Sequence, residues 1–330
     1  MKSTAAADAK FSAFEAKFLA EYLERNPTRA TEAGEHKYDA RWPDVSAEGD
    51  VAEKRWLEGM LKELESTKAE DLGVQNRVDR GIIENRLRYW LFSLDELREG
   101  DWNPMAYTGL VGDGLDPLVS REFAPIEARM ANLKARLEGV PKIVEAAKKR
   151  LKKSPKIYTE TAIQQNAGLV GLCEKDLAES FAKVPAQKAA LEAAAKTAAA
   201  ALKDFQTFLK DDLLPRSDGD FRLGRARFEK KLRYELDDEV DIDAIAKGAR
   251  ALLAKTFDEM VDTSKELWPK LMKGQALPAS GPAGMAYDPT TSRLFVAEGA
   301  VNKLTAFAVD PAGGLTRAGS ATNRRSVPES

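Results

Sequence analysis

The chain has 330 residues, of which 43% are hydrophobic and 32% charged, the composition of a globular protein with one large or two ordinary domains. Lys and Arg total 51 against 53 Asp and Glu, so the net charge of -2 gives no electrostatic reason to expect nucleic acid or an anionic membrane as a partner. No run approaches the roughly 20 apolar residues that span a bilayer, and the single cysteine, Cys173, excludes an internal disulfide.

The first hundred residues are typical of antiparallel helices joined by loops. Apolar spacing predicts a helix over residues 11–23, ended by Asn26 and Pro27, and then a turn-rich stretch over 28–50. A second helix buries Trp56 to Leu64, and a third covers residues 75–97. Six glycines and prolines in residues 99–118 then predict a long loop, and ordinary accumulation of glycine explains it better than a functional role.

The middle of the chain is predicted to be helical over residues 121–138, 141–152 and 156–181. Pro141 suits the first turn of a helix, where its missing N–H costs nothing. Residues 185–209 are rich in alanine, which has the highest helix propensity and the smallest side chain. We expect this helix to pack with its backbone close to a neighbour.

Residues 221–260 predict two further helices. In the first, Phe221, Phe228, Leu232 and Leu236 form one apolar stripe among basic side chains. In the second, Asp241 stands at the N-cap position, before an apolar face with the period of 3.6 residues.

The composition changes after Pro269, where helical periodicity stops. Residues 294–297 and 303–309 predict a β-hairpin. Residues 281–318 resemble one blade segment of a β-propeller of the YVTN or lactonase-like kind, and one blade cannot close a propeller. We therefore expect a junction near residues 273–274, and disorder over residues 323–330.

Three segments carry a family resemblance. Residues 26–39 read NPTRATEAGEHKYD, residues 136–141 read RLEGVP, and residues 221–228 read FRLGRARF before an acidic gap and a long helix. In this order they resemble the DUF885 family of bacterial proteins, over about residues 10–272. That family is similar to helical zinc peptidases whose metal-binding motif opens with His-Glu in a C-terminal half. The resemblance therefore implies zinc in the complete family, and a truncated helical domain here.

Catalytic chemistry finds little support in this sequence. It has one histidine and no His-Glu-x-x-His motif, so we predict no catalytic and no metal-binding residues. The acids between Asp237 and Asp243 lack EF-hand spacing, and capping explains them better. Cys173 has no visible activating neighbour.

The family's signature segments provide five candidates for substrate binding. His36, Tyr38 and Asp39 come from the first segment, where acid–base work by His36 competes with a favoured structural role in orienting a loop. Arg222 and Arg225 come from the basic segment and could hold an anionic group such as a peptide C-terminus, although a salt-bridged, solvated face explains them better.

The sequence thus predicts a mainly α fold, an antiparallel multi-helix array over residues 8–272, followed by a β-hairpin or disordered tail over 273–330. The predicted function is the N-terminal helical part of a DUF885, metallopeptidase-like protein, catalytically incomplete and without a cofactor of its own. The alternative is a non-catalytic domain that binds peptides or proteins. The expected partners are a peptide substrate and, through exposed apolar faces, a second copy of the chain.

The sequence is compatible with two cellular compartments. The first ten residues lack an apolar core, so no signal peptide is visible and the chain reads as cytoplasmic. DUF885 members often carry export or lipoprotein signals, which implies a periplasmic or exported protein if such a segment has been trimmed.

Overall fold

The computed structural model describes residues 5–271 and four strands within residues 284–322. The mainly α fold predicted from the sequence is confirmed. The helices are α1 (Ala5–Arg25), α2 (Pro27–Ala33), α3 (Ala47–Glu65), α4 (Val74–Phe92), α5 (Pro104–Ser120), α6 (Ile126–Arg150), α7 (Lys156–Gly171), α8 (Ala178–Ala182), α9 (Pro185–Thr207), α10 (Arg225–Leu236) and α11 (Ile242–Leu271). The strands are β1 (Gly284–Asp288), β2 (Arg293–Glu298), β3 (Lys303–Val309) and β4 (Leu315–Thr322).

Short helical turns connect or extend several of these helices. The 3₁₀ turns are His36–Tyr38, Ala69–Asp71, Glu99–Asp101 and Leu214–Arg216, and the π-helical turns are Ser93–Leu97, Leu172–Asp176 and Phe208–Leu213. The chain divides into two compact units, Met1–Glu239 and Val240–Ser330.

The first unit contains two hydrophobic clusters. The smaller one joins α1, α3 and α4, where Phe14, Phe18 and Trp56 form a series of ring contacts. The larger one is built from α5, α6, α7 and α9. The predicted alanine-rich helix is α9, and its buried Ala194, Ala195, Ala198 and Ala199 let the helix lie close to α6.

The loop predicted over residues 99–118 is wrong, because Pro104–Ser120 forms helix α5. Asn103 caps its N-terminus by accepting a hydrogen bond from the Met105 N–H at 3.1 Å, and Pro104 stands in the first turn. The glycines that suggested a loop include Gly114, where a Cβ atom would lie 2.1 Å from the Trp42 ring. This glycine serves close packing within a helix.

The break predicted between residues 138 and 141 is also wrong, because α6 continues through Pro141. A proline inside a helix costs about 3 kcal/mol. The buried positions Leu133, Leu137, Val140 and Val144 keep one apolar face on both sides of it. Burying such side chains gains about 1.5–3 kcal/mol each, so an unbroken face outweighs the cost of the proline.

The two helices predicted over residues 221–260 are present, but the first begins later than Phe221. Gly224 takes a positive φ of 74° directly before α10, a conformation that favours glycine. Asp241 caps α11 as predicted, since its carboxylate accepts from the backbone N–H groups of Asp243 and Ala244 at 3.0 Å.

The strands form one antiparallel sheet in the order β1-β2-β3-β4. In the β2–β3 pair, Glu298 lies opposite Lys303, and a β-bulge interrupts the β3–β4 pair at Ala306 and Phe307. The predicted junction at 273–274 and the predicted disordered tail over 323–330 lie outside the described residues. No helix within the described ranges is long and apolar enough to cross a bilayer.

Candidate binding cleft

Three of the five candidates lie on a short turn after α2. Gly34 ends α2 with a φ of 89°, and the turn His36–Tyr38 follows directly. The His36 ring stacks on Phe123 with their centroids 3.6 Å apart, and Asp39 accepts a hydrogen bond from the His36 Nδ1 at 3.0 Å. Because the carboxylate accepts, the Nδ1 atom carries the proton. These two contacts fix the His36 ring within the loop, and its role in substrate binding stays a prediction.

A buried arginine, Arg136, stabilises this turn through hydrogen bonds. The guanidinium of Arg136 is fully buried and donates to the hydroxyl of Thr31 at 2.7 Å. That hydroxyl in turn donates to Asp39 Oδ1 at 2.6 Å. Arg136 also donates to the carbonyl groups of Pro27, at 3.3 Å, and Gly114. Burial lowers the pKa of Arg136 to about 10, with the charge of Asp39 opposing the shift, so the side chain stays cationic at neutral pH.

Arg136 also holds Trp42 in place, and Trp42 is one of the residues that line a cleft. The Trp42 Nε1–H donates to the Arg136 carbonyl at 2.8 Å, and the guanidinium lies 5.6 Å from the centre of the indole ring. Two glycines make room for the ring, since a Cβ at Gly114 or Gly139 would lie 2.1 Å or 2.5 Å from it. The signature segments at 26–39 and 136–141 meet at Arg136, which donates to Pro27 and Thr31 of the first segment.

The cleft beside Trp42 has a volume of about 710 Å³ and lies between the C-terminal half of α1, the segment after the His36–Tyr38 turn, and α3. This size is within the range of ligand sites. We call it the acidic cleft. Its lining residues are Glu21, Glu24, Arg25, Asn26, Arg41, Trp42, Pro43, Asp44, Gly49, Asp50, Ala52, Glu53 and Trp56.

Five carboxylates against two guanidinium groups give the acidic cleft its charge. Arg25 pairs with Glu53 at 3.0 Å, and Arg41 pairs with Glu24 at 3.1 Å. Burial raises the pKa of Glu53, against the opposing effect of Arg25. Glu21 accepts a hydrogen bond at 2.6 Å from the Nε1 of Trp56.

No ion pair joins Glu21 to a cation in the described part of the chain. Its carboxylate is oriented by the indole N–H, and the nearby cation Lys17 acts on it through space while pairing directly with Glu63 at 2.7 Å. Trp56 is also covered on one face by the Arg25 guanidinium, 5.1 Å from the ring centre.

A second buried arginine, Arg150, contacts Asp50, which lines the acidic cleft. The Arg150 guanidinium donates to the Val45 carbonyl at 2.9 Å and to Asp101 at 3.1 Å, and it pairs with Asp50. Burial lowers the pKa of Arg150, but the hydrogen bond with Asp50 and the neighbouring charges more than offset this, so the pKa is raised. Asp44 accepts from the backbone and hydroxyl of Ser46, which lowers its pKa.

The predicted candidates relate to the acidic cleft in different ways. The Tyr38 ring is buried and lies 5.4 Å from the Arg41 guanidinium, so Tyr38 supports a lining residue without lining the cleft itself. His36 and Asp39 hold the segment that leads into Trp42. His36, Tyr38 and Asp39 therefore contact or precede residues that line the acidic cleft but do not line it themselves.

Arg222 and Arg225 belong to another region. Arg222 pairs with Asp220 at 3.3 Å, Arg225 pairs with Glu229 at 2.7 Å, and Phe221 stacks on Tyr158. Tyr158 follows the C-terminal end of α6, whereas Phe123, which His36 contacts, precedes its N-terminal end. A helix of 25 residues is about 37 Å long. The two groups of candidates therefore do not form one site, and a role for these arginines in binding stays a prediction.

Sequence reasoning did not select Glu21, Trp42, Glu53, Trp56 or Arg136 as site residues. A signal for the buried arginines was present, because Arg129, Arg136 and Arg150 recur at multiples of seven residues and share a helix face with apolar neighbours. All three are buried. A cation on the apolar face of a helix indicates a buried partner.

The comparisons with known proteins agree with this fold. No curated protein matches the chain. A solved structure from Shewanella oneidensis, a candidate lipoprotein of unknown function, has the same fold with a TM-score of 0.70 at 22% sequence identity. The match covers 82% of this chain and 50% of the other, so this chain spans about half the length of the Shewanella protein. The model of the family described as "Bacterial protein of unknown function (DUF885)" matches residues 27–295. The chain belongs to the DUF885 family.

Proposed function

We propose that this chain is a polypeptide-binding part of a DUF885 protein, and that the acidic cleft receives basic side chains or a free α-amino group. The observation that supports this most is the excess of five carboxylates over two guanidinium groups in one concave site, where Glu21 has no direct ion-pair partner among the described residues. Carboxylates are the protein groups that attract ammonium and guanidinium ions. A peptide is the partner that the resemblance to helical peptidases leads us to expect.

This proposal keeps three expectations from the sequence. The complete protein would be metallopeptidase-like, it would use zinc, and residues 281–318 would resemble a propeller segment. A zinc site does not fit the residues of this chain. The sequence has one histidine, and the Nδ1 of His36 is taken by Asp39 while its ring is stacked on Phe123. Among the described residues, no group of three or more His, Cys, Asp or Glu side chains is arranged to hold a metal ion. We therefore propose binding without hydrolysis by this chain.

Binding can be tested by isothermal titration calorimetry with tetralysine, tetraglutamine and tetraglutamate. We expect tetralysine to bind and tetraglutamate not to bind. One charge interaction of about 1 kcal/mol, the Coulomb energy of an exposed pair at 4 Å, makes Glu21→Gln about fivefold weaker. The matched control is Glu58→Gln, an exposed residue of α3 outside the cleft, which should leave the affinity unchanged. Equal affinity for all three peptides would overturn the proposal.

The absence of hydrolysis has its own test. The chain is incubated with zinc and a mixture of basic peptides, and the products are followed by mass spectrometry. We expect intact peptides. Zinc-dependent cleavage that purifies with the chain would contradict this part of the proposal while leaving the binding site in place.

A further inference from the structure

A second cavity of the first unit lies between helix α9 and the segment formed by the Leu172–Asp176 turn and α8. Its volume is about 590 Å³, which is within the range of ligand sites. It shares no lining residue with the acidic cleft, so the two sites are separate. We call it the lysine cavity. Its lining residues are Cys173, Glu174, Lys175, Ala178, Phe181, Glu192, Ala195, Lys196, Ala199, Ala200 and Lys203.

The buried part of this lining is apolar. Cys173 is 6% exposed, and Phe181, Ala195 and Ala199 are each 3% exposed. The two alanines are four residues apart, so they lie on one face of α9, and their small side chains leave space that a larger residue would fill. The base of the lysine cavity therefore offers contacts to a hydrocarbon group but no partner for a charged one.

The exposed edge of the cavity carries three lysines and two glutamates. Lys203 pairs with Glu174, and this pair joins α9 to the opposite wall. Glu192 lies 3.8 Å from the ammonium group of a lysine outside the lining. Among the described residues, neither Lys175 nor Lys196 has an ion-pair partner. Each acid is therefore beside a cation, and two lysines remain to attract an anion.

Lys196 stands at the border between the two parts of the lining. It directly follows Ala195 on α9 and precedes Ala199 by three residues, and it is itself exposed. Residues three apart are neighbours on a helix surface, so its side chain begins next to the apolar base and ends in solvent. An anionic group held by Lys196 is therefore within reach of a hydrocarbon chain on the base.

We propose that the lysine cavity binds a medium-chain aliphatic carboxylate, with the carboxylate at Lys175 and Lys196 and the chain on Phe181, Ala195 and Ala199. An ammonium group forms charge-assisted hydrogen bonds with a carboxylate. Removal of the chain from water supplies the remaining affinity, at most about fourfold for each buried CH₂ group. A short carboxylate lacks the chain, and an alcohol of the same length lacks the charge.

The first experiment compares octanoate, 1-octanol and acetate by isothermal titration calorimetry with the full chain. We expect saturable binding of octanoate, binding of 1-octanol that is about fivefold weaker, and no binding of acetate. This ratio corresponds to about 1 kcal/mol, the Coulomb energy of one pair of charges 4 Å apart in water. Equal affinities for octanoate and 1-octanol would overturn the proposal. Octanoate that does not saturate the chain by about 10 mM would overturn it as well.

The second experiment substitutes the lysine beside the apolar base. Lys196→Gln removes its charge, so the affinity for octanoate should fall about fivefold while that for 1-octanol stays unchanged. The matched control is Lys210→Gln, an exposed lysine outside the cavity, which should bind octanoate like the parent chain. Both positions are exposed, so circular dichroism should show unchanged helix content. Equal affinities of the two variants for octanoate would overturn the assignment to this cavity.

Hydrogen exchange measured by mass spectrometry locates the bound octanoate. We expect slower backbone exchange in residues 173–181 and 192–203, and no change in residues 41–56, which border the acidic cleft. Helix α11 also exposes large apolar side chains, including Leu252 and Leu253. Slower exchange confined to residues 242–260 would place the hydrocarbon chain on that helix and overturn the proposal.

Discussion

The hydroxyl of Thr31 lies 2.7 Å from the guanidinium of Arg136, a residue 105 positions away in the sequence, and connects that cation to the buried carboxylate of Asp39. We predict that Thr31→Val, which keeps the shape and removes the hydroxyl, lowers the free energy of unfolding by about 1–3 kcal/mol, because buried polar groups lose a partner. Urea denaturation followed by circular dichroism measures this change.

The matched control for that substitution is Thr197→Val. Thr197 is exposed on α9, and its hydroxyl only donates to the Ala193 carbonyl at 3.1 Å. Its substitution should change the free energy of unfolding by no more than about 0.5 kcal/mol. A similar effect of the two substitutions would mean that the buried network does not stabilise the first unit.

Two glycines of α5 should respond in opposite directions to alanine. Gly114→Ala forces the Trp42 ring away, and we predict a loss of about 1–3 kcal/mol in the free energy of unfolding together with weaker binding of tetralysine. Gly109 has no atom within 4 Å of its added Cβ, so Gly109→Ala should stabilise the protein by about 0.5–1 kcal/mol. Thermal unfolding and calorimetric titration of both variants test this, and stabilisation by Gly114→Ala would contradict the packing at the cleft wall.

The affinity for a basic peptide should fall at acid pH. A cation binds a carboxylate only in its charged form, so protonation of the cleft weakens binding. Burial has raised the pKa of Glu53 and hydrogen bonds from Ser46 have lowered that of Asp44, so Glu53 takes up its proton before Asp44 as the pH falls. Titrations at pH 7, 6, 5 and 4 should show a steady loss of affinity, and an affinity that rises toward pH 4 would contradict the assignment.

The single thiol should be unreactive in the folded protein. Cys173 is buried, and burial raises the pKa of its thiol to about 11. Since the thiolate is the reactive form, about one molecule in a thousand carries it at pH 8. We predict slow reaction with Ellman's reagent, a rate that increases about tenfold per pH unit below pH 11, and fast reaction in denaturant. Fast labelling of the folded chain would show that this part of the core is open.

The sequence predicted the helices with strong apolar periodicity, and it failed where local signals opposed tertiary packing. Glycines that suggested a loop over residues 99–118 instead let Trp42 approach α5, and Pro141 stays inside α6 because the apolar face continues past it. Both errors came from residues whose local preference is overruled by a distant partner.

The candidate site was predicted only in part for a related reason. The signature segment containing His36 was recognised, but its contact with Arg136 joins residues about a hundred positions apart. The lining of the acidic cleft comes from α1, α3 and the segment between α2 and α3. No single segment shows this combination, because its residues become neighbours only after the helices pack.

Hydrogen exchange measured by mass spectrometry, with and without saturating tetralysine, tests the central proposal most directly. We predict that the peptide slows backbone exchange in residues 21–26 and 41–56, which line the acidic cleft, and leaves residues 191–203 of α9 unchanged. Slower exchange confined to other regions, or no change at a peptide concentration that saturates binding, would show that the acidic cleft is not the binding site.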